Sequence, residues 1–164
     1  MGNNWKITDT LTKVFADEVP DGQGSIRLST LHRETVSCVI AYFGAADWGR
    51  YWKVSVKAPE KIETRLRRVE LVPSAYPCHK EQDDNYLRIV PGMYPDLLRD
   101  LDTEDDGADK KYLTKEVPGQ WRSLWLDVTV DAELAGGDYA IVIEAETEAV
   151  SYTHLRAHET GRNL

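Results

Sequence analysis

His154 and His158 stand four residues apart in "VSYTHLRAHET", with Glu159 beside the second imidazole. On a helix, that spacing puts both rings on one face, where they can share a metal ion. A second reactive-looking pair is Cys78-His79, but one Cys and one His are too few ligands for a structural zinc site. A catalytic thiolate also needs a histidine brought close in space, which adjacency along the chain does not ensure. Adjacent acids occur at Asp17-Glu18, Asp83-Asp84 and Asp105-Asp106. Glycoside hydrolysis generally uses two carboxyl groups about 5 Å or more apart across the sugar. Neighbours on a strand point to opposite faces, and neighbours in a charged loop are solvated. "DTEDDGADKK" lacks the register and closing Glu of a calcium loop. There is no Gly-rich phosphate loop, G-x-S-x-G elbow or H-E-x-x-H motif. The reading is of no catalytic residue, no metal and no cofactor.

The aromatic residues offer different chemistry. Trp48, Tyr51, Trp52, Tyr94, Trp121 and Trp125 can stack on sugar rings wherever they are exposed. Trp52 lies on the apolar face of an alternating run, and Trp121 and Trp125 are an even step apart, so both sets read as packing residues. Trp48, in a Gly-containing loop, and its neighbour Tyr51 are the candidate sugar contacts.

A formal net charge of −8 without a basic stripe argues against nucleic-acid binding. The cluster Arg65, Arg67, Arg68 reads as a solvated strand face. No apolar segment reaches transmembrane length, and the start "MGNNWKITDT" has no basic-then-apolar signal pattern, so no membrane partner and a cytoplasmic location are expected. Cys38 lies in an apolar run and reads as a buried thiol; two cysteines make no disulfide framework.

The elements that must position these residues repeat with period two. "YWKVSVKA" puts Trp52, Val54, Val56 and Ala58 on one face and Tyr51, Lys53, Ser55 and Lys57 on the other. "TVSCVIAYF" suits a central strand. "IETRLRRVELV" shifts its apolar spacing partway, which predicts a bulge or a bend. "NYLRIV", "SLWLDVTV" and "DYAIVIEAE" complete the strands, and the turn-rich link between the last two predicts a hairpin or a sandwich corner. "YPDLLRDL" reads as briefly helical and "DTEDDGADKK" as a mobile loop. Short strands punctuated by Gly and Pro predict an all-β, antiparallel β-sandwich, a single domain over residues 1–149.

Three segments in order, "RRVELVPS", "VPGMYPDLL" and "GQWRSLWLDVTVDAELAGGDYAIVIEAE", resemble the N-terminal β-sandwich domain of glycoside hydrolase family 123. "LHRETVSCVIAYF" is similar to the segment where that domain shows a Glu before an apolar strand. The resemblance spans roughly Trp5 to Glu148. It implies a following catalytic (β/α)₈ barrel that hydrolyses β-linked N-acetylgalactosaminides with help from the substrate's acetamido group. None of the barrel's motif is present, so no catalytic residue transfers. The implied role is a non-catalytic accessory domain whose partner is that barrel. Two prolines and Gly92 make Pro91–Leu98 a rigid loop. Tyr94, Pro95, Leu97 and Leu98 are its expected barrel-facing residues, and they are expected to be exposed. The alternatives are a free-standing carbohydrate-binding module contacting glycans through Trp48 and its neighbours, or a structural interaction domain.

The histidine pair closes differently. "VSYTHLRAHET" is similar to the in-frame translation of a transposase adapter used in preparing sequencing libraries, unbroken from Val150 to Thr160. On that reading residues 150–164 are a tail of non-biological origin, and His154, His158 and Glu159 were never selected to bind anything. Sequencing the parent locus is expected to show a reading frame that departs from this tail at codon 150; independent genomic copies carrying the same tail would refute it.

Overall fold

A computed structural model describes residues 4–44, 50–78, 80–81, 85–105 and 110–149. The strands, in chain order, are β1 (Trp5–Thr8), β2 (Thr35–Phe43), β3 (Arg50–Lys57), β4 (Ile62–Ser74), β5 (Gly92–Asp100), β6 (Asp102–Asp105), β7 (Lys110–Lys115), β8 (Trp121–Val130) and β9 (Val142–Ala149). They form a five-stranded sheet, β1-β2-β8-β4-β5, and a four-stranded sheet, β6-β7-β3-β9. Every strand pairing is antiparallel, so the expected all-β, sandwich-like architecture is what the chain adopts.

Alternation decides which side chains meet between the sheets. Leu124, Leu126 and Val128 of β8 point inward beside Cys38, Ile40 and Tyr42 of β2 and Leu66 of β4. Val54 of β3 and Tyr112 of β7 meet them from the four-stranded sheet. Trp52 and Val56 pack against the same core, as the alternation of "YWKVSVKA" requires. Trp5 closes one end, stacked on Tyr42 at 5.2 Å and edge-on to Trp52 at 4.9 Å. The Tyr42 hydroxyl is satisfied by Thr114 Oγ1 at 2.7 Å, a bond that ties the two sheets together inside the core. Burial pushes the Cys38 thiol up to about 11, so it is the inert buried thiol expected.

The outer face of the five-stranded sheet carries a second cluster. Val39 and Ala41 of β2 and Trp121 of β8 are covered by Val14, from the segment joining β1 to β2. Trp121 and Trp125 do share a face, and both pack into this cluster. Gly44 sits where that face meets the β7–β8 connection: a Cβ there would lie 2.1 Å from the Val117 carbonyl oxygen, so only glycine fits.

Several local expectations give way to pairing. "YPDLLRD" is strand β5 rather than helix, because β4 offers it a ladder from Arg67 to Ser74. A proline in a helix interior costs about 3 kcal/mol, whereas an edge strand tolerates one; Pro95 sits on such an edge. The expected irregularity in β4 appears in its pairing with β5, where Glu70 faces Leu97 but Leu71 faces Pro95, leaving Asp96 as the extra residue. "NYLRIV" is not a strand, and among the described residues β5 is the edge of its sheet, with no further strand for it to pair with. "DTED" and "KKYLTK" form the antiparallel pair β6–β7, where a mobile loop was expected; residues 106–109 lie outside the described residues. Of the two arrangements expected for β8 and β9, the sandwich corner is the one adopted, because β2 and β4 already occupy both edges of β8. β1 was not anticipated at all. The arginine cluster is not simply solvated: Arg67 pairs with Asp127 and Arg68 with Glu70, all four half-buried.

Asp127 collects polar groups on the outer face. It accepts from Ser37 Oγ at 2.7 Å, from Trp125 Nε1 at 2.7 Å, and from Arg67. Burial disfavours its charged form, but these three donors outweigh burial and hold its carboxyl below the ordinary value of 3.8. A lowered folded value means the carboxylate stabilises the fold fully above the unfolded value. That contribution declines below it and is lost as pH falls through the folded value. Asp127→Asn is therefore expected to cost about 1–3 kcal/mol at neutral pH, with the difference from wild type shrinking once pH drops below about 4. Urea unfolding of both proteins across pH 2–7 (~5 pH units) measures this.

Candidate functional site

A broad concavity lies at the β4–β5 end of the five-stranded sheet. Its volume is about 760 Å³, and its walls include Lys13, Phe15, Tyr86, Arg88, Tyr94 and Asp96. Three stretches build it: the ends of β4 and β5, the β4–β5 connection, and the start of the segment joining β1 to β2. That last segment opens with an Asx turn, in which Asp9 Oδ1 accepts from the Leu11 and Thr12 backbone N–H groups at 3.0 and 2.9 Å. The turn directs Val14 and Phe15 back onto the sheet.

Arg88 locks the groove together. Its guanidinium lies over the Phe15 ring, 3.9 Å from the centroid. Nη2 donates to Asp17 Oδ1 at 2.8 Å and to Glu18 Oε1. The hydrogen bond from Arg88 holds the Asp17 carboxyl below its ordinary value. The Arg88 side chain is only 12% exposed although its two acidic partners are largely in solvent. Tyr94 completes the unit: its ring meets Phe15 edge-on at 5.8 Å, and its hydroxyl donates to the Val90 and Arg88 carbonyls at 2.5 and 3.3 Å. Lys13 Nζ donates to the Pro95 carbonyl at 3.4 Å. Cation, ring and hydroxyl thus join two loops that the sheet ladder does not hold.

Of the sequence candidates, Tyr94 and Pro95 line this groove. Pro95 is buried and Tyr94 half-buried, so the expectation that both be exposed does not hold for them. The reason is the cover supplied by Lys13 and Phe15, which the sequence places about eighty positions away. Leu97 is exposed and Leu98 half-buried on β5, outside the groove lining. Tyr51 is not part of the site. It lies half-buried in β3, with the Lys115 ammonium 5.8 Å from its ring centroid. Around it the outer face of the four-stranded sheet is an ionic lattice, including Lys53–Glu104 at 2.9 Å and Lys57–Glu144 at 2.8 Å. Trp48 lies outside the described residues, as do Asp83, Asp84 and residues 150–164 with both tail histidines.

Among the described residues no group of three or more His, Cys, Asp and Glu side chains could hold a metal ion. Asp17 and Glu18, a candidate acid pair by sequence, serve as counter-ions to Arg88. Residues the sequence reading passed over are Phe15, Asn85, Tyr86, Arg88 and Asp96. One signal was available: "YLRIV" is apolar, yet no second β-like run lay beside it to pair with. No protein-family model and no curated protein matches the chain.

Removing Arg88 leaves Asp17 and Glu18 facing each other and uncovers Phe15. Arg88→Ala is expected to destabilise the protein by about 1–2 kcal/mol, discounted for the exposure of both acids. Arg88→Lys recovers only part of this, since an ammonium lacks the flat face that stacks on Phe15. Urea midpoints of the two variants test the order wild type, Lys, Ala.

Proposed function

We propose that this chain is a non-catalytic accessory domain, the N-terminal β-sandwich of a glycoside hydrolase family 123-like enzyme, and that it docks the catalytic (β/α)₈ barrel through the face formed by residues 76–78 and 85–97. One observation carries the docking role. Large apolar side chains crowd the solvent along this stretch: Tyr76 is 91% exposed, Leu87 71% and Val90 57%, with Tyr86, Ile89, Met93 and Leu97 close to half-exposed. Half of the exposed large apolar side chains among the described residues lie on this one connection and edge strand, the others on the β1–β2 segment and around the start of β9; an exposed apolar stretch of this kind marks an interaction site. Elsewhere the sheet faces are covered or charged, as the ionic lattice around Tyr51 illustrates.

The choice of partner rests on the resemblance. The P-G-x-Y-P-D-x-L loop that carries it, Pro91–Leu98, contributes the exposed Met93 and Leu97 to this face. The barrel would supply the hydrolysis of β-linked N-acetylgalactosaminides, and the sandwich would supply support. Nothing on the sandwich is asked to do chemistry, in keeping with the engagement of Asp17 and Glu18 by Arg88.

Mixed with a separately expressed catalytic barrel of that family, the chain is expected to form a one-to-one complex and raise the barrel's thermal midpoint. The double variant Leu87→Asp, Val90→Asp is expected to weaken the complex at least about tenfold. Both positions are exposed, so its own unfolding midpoint stays near wild type. Sedimentation velocity reads the complex. No complex with such barrels, at concentrations well above those of ordinary domain interfaces, sinks the proposal.

A further inference from the structure

We infer that the groove beside Tyr86 and Tyr94 is a binding site for a neutral saccharide, one or two pyranose units long. The inference deepens the docking reading, because it places a sugar contact within the surface proposed to meet the barrel.

Three observations lead to that ligand class. The first is size: about 760 Å³ falls in the range of small-molecule clefts. The second is the lining. A pyranose has an apolar C–H face and a rim of hydroxyls. Tyr86, half-exposed, offers a ring for the first. Asn85 and Asp96, both exposed in the lining, offer an amide and a carboxylate for the second. Their side chains and the Tyr86 hydroxyl make no hydrogen bond to another described residue, so their donors and acceptors are open to a ligand. The third is charge. Arg88 is the cation that would otherwise draw a phosphate or carboxylate, but Asp17 and Glu18 already neutralise it. With Lys13 and Asp96 added, the groove and the acids that flank Arg88 carry two cations against three carboxylates, so no positive charge is left over for an anion. A partly aromatic wall with no surplus positive charge and with open amide and carboxylate groups favours a neutral polyhydroxylated ring over an anionic ligand.

The fixed parts of the groove suit this use. Tyr94 and Arg88 are held by the contacts that join the two loops, so the floor is preorganised while Asn85, Tyr86 and Asp96 stand at its mouth. Tyr51, on the other sheet and under Lys115, has no such surroundings.

The test titrates the full chain, without any barrel, with methyl β-N-acetylgalactosaminide and separately with cellobiose, following amide shifts by NMR. At least one sugar is expected to bind with a millimolar dissociation constant and to shift amides around Lys13, Asn85–Arg88 and Tyr94–Asp96. Tyr86→Ala and Asp96→Ala, both at exposed positions, are expected to weaken binding about tenfold each. Tyr51→Ala is expected to leave it unchanged. The inference is overturned by saturating shifts that map to Tyr51 or elsewhere, by an absence of shifts at tens of millimolar of either sugar, or by binding that survives Tyr86→Ala. A proline-rich peptide that occupies the groove while neither sugar does also overturns it, and assigns the groove to a protein ligand. Each of these results leaves the barrel-docking experiment independent, since that experiment reads complex formation through Leu87 and Val90 without sugar.

Discussion

Strand β8 is hydrogen-bonded along both edges, to β2 over Trp121–Thr129 and to β4 over Ser123–Val130. Its two faces both carry packed side chains: Leu124, Leu126 and Val128 toward the other sheet, Trp121 and Trp125 toward the covering segment. Most of the remaining arrangement follows from that double occupancy. With no free edge on β8, the chain that leaves it cannot fold back as a hairpin and must cross to the second sheet, where β9 pairs with β3. With apolar residues on both faces, one sheet-on-sheet contact cannot bury them all, and a second cover is required. Leu124 is completely buried, and truncating such a residue to Ala typically costs 2–5 kcal/mol.

The second cover produces the groove. The segment between β1 and β2 rests on the outer face through Val14 and Phe15, and its Ala16 carbonyl accepts from the Trp121 N–H at 2.9 Å. Its hold on the far end of the sheet comes from Arg88, which is at once a lid on Phe15, an ion-pair partner for two acids, and a carbonyl anchor for Tyr94. Where the covering segment stops and β5 begins, the sheet edge is left partly open. Pro95 removes an N–H from that edge and Asp96 interrupts its register, both of which discourage another strand from adding there. The surface that remains is apolar and irregular. It suits a shaped partner or a small ligand better than strand extension.

The polar interior is organised sparingly. Tyr42 and Thr114 share one hydrogen bond between sheets, and Asp127 gathers Ser37, Trp125 and Arg67 on the outer face. Each links strands far apart in sequence, so each specifies register as well as contributing stability. A one-residue slip of β2 against β8 would carry Tyr42 out of the core and move Ser37 away from Asp127.

Strand identity was legible from apolar and β-branched runs, and alternation named the inner residues where one face alone is buried, as in "YWKVSVKA"; "TVSCVIAYF" is buried on both faces, so it read as a central strand without declaring which face is inner. The irregularity in β4 was legible for the same reason. Pairing was not local. Whether "YPDLLRD" becomes helix or strand depends on the free edge of β4, and whether β8 and β9 touch depends on which strands already flank β8. The site was the least legible part. Tyr94 and Pro95 stood out through their motif, but Phe15 and Arg88 have ordinary neighbours in sequence and become a unit only when two loops about seventy positions apart meet over one ring. The sequence by itself thus determined the all-β class, the inward face of β3 and the buried state of Cys38, because those depend on period and hydrophobicity. The tertiary structure alone decided the sheet order, the corner at β8 and the groove, because hydrogen-bonding edges and long-range ion pairs exist only once the strands are assembled.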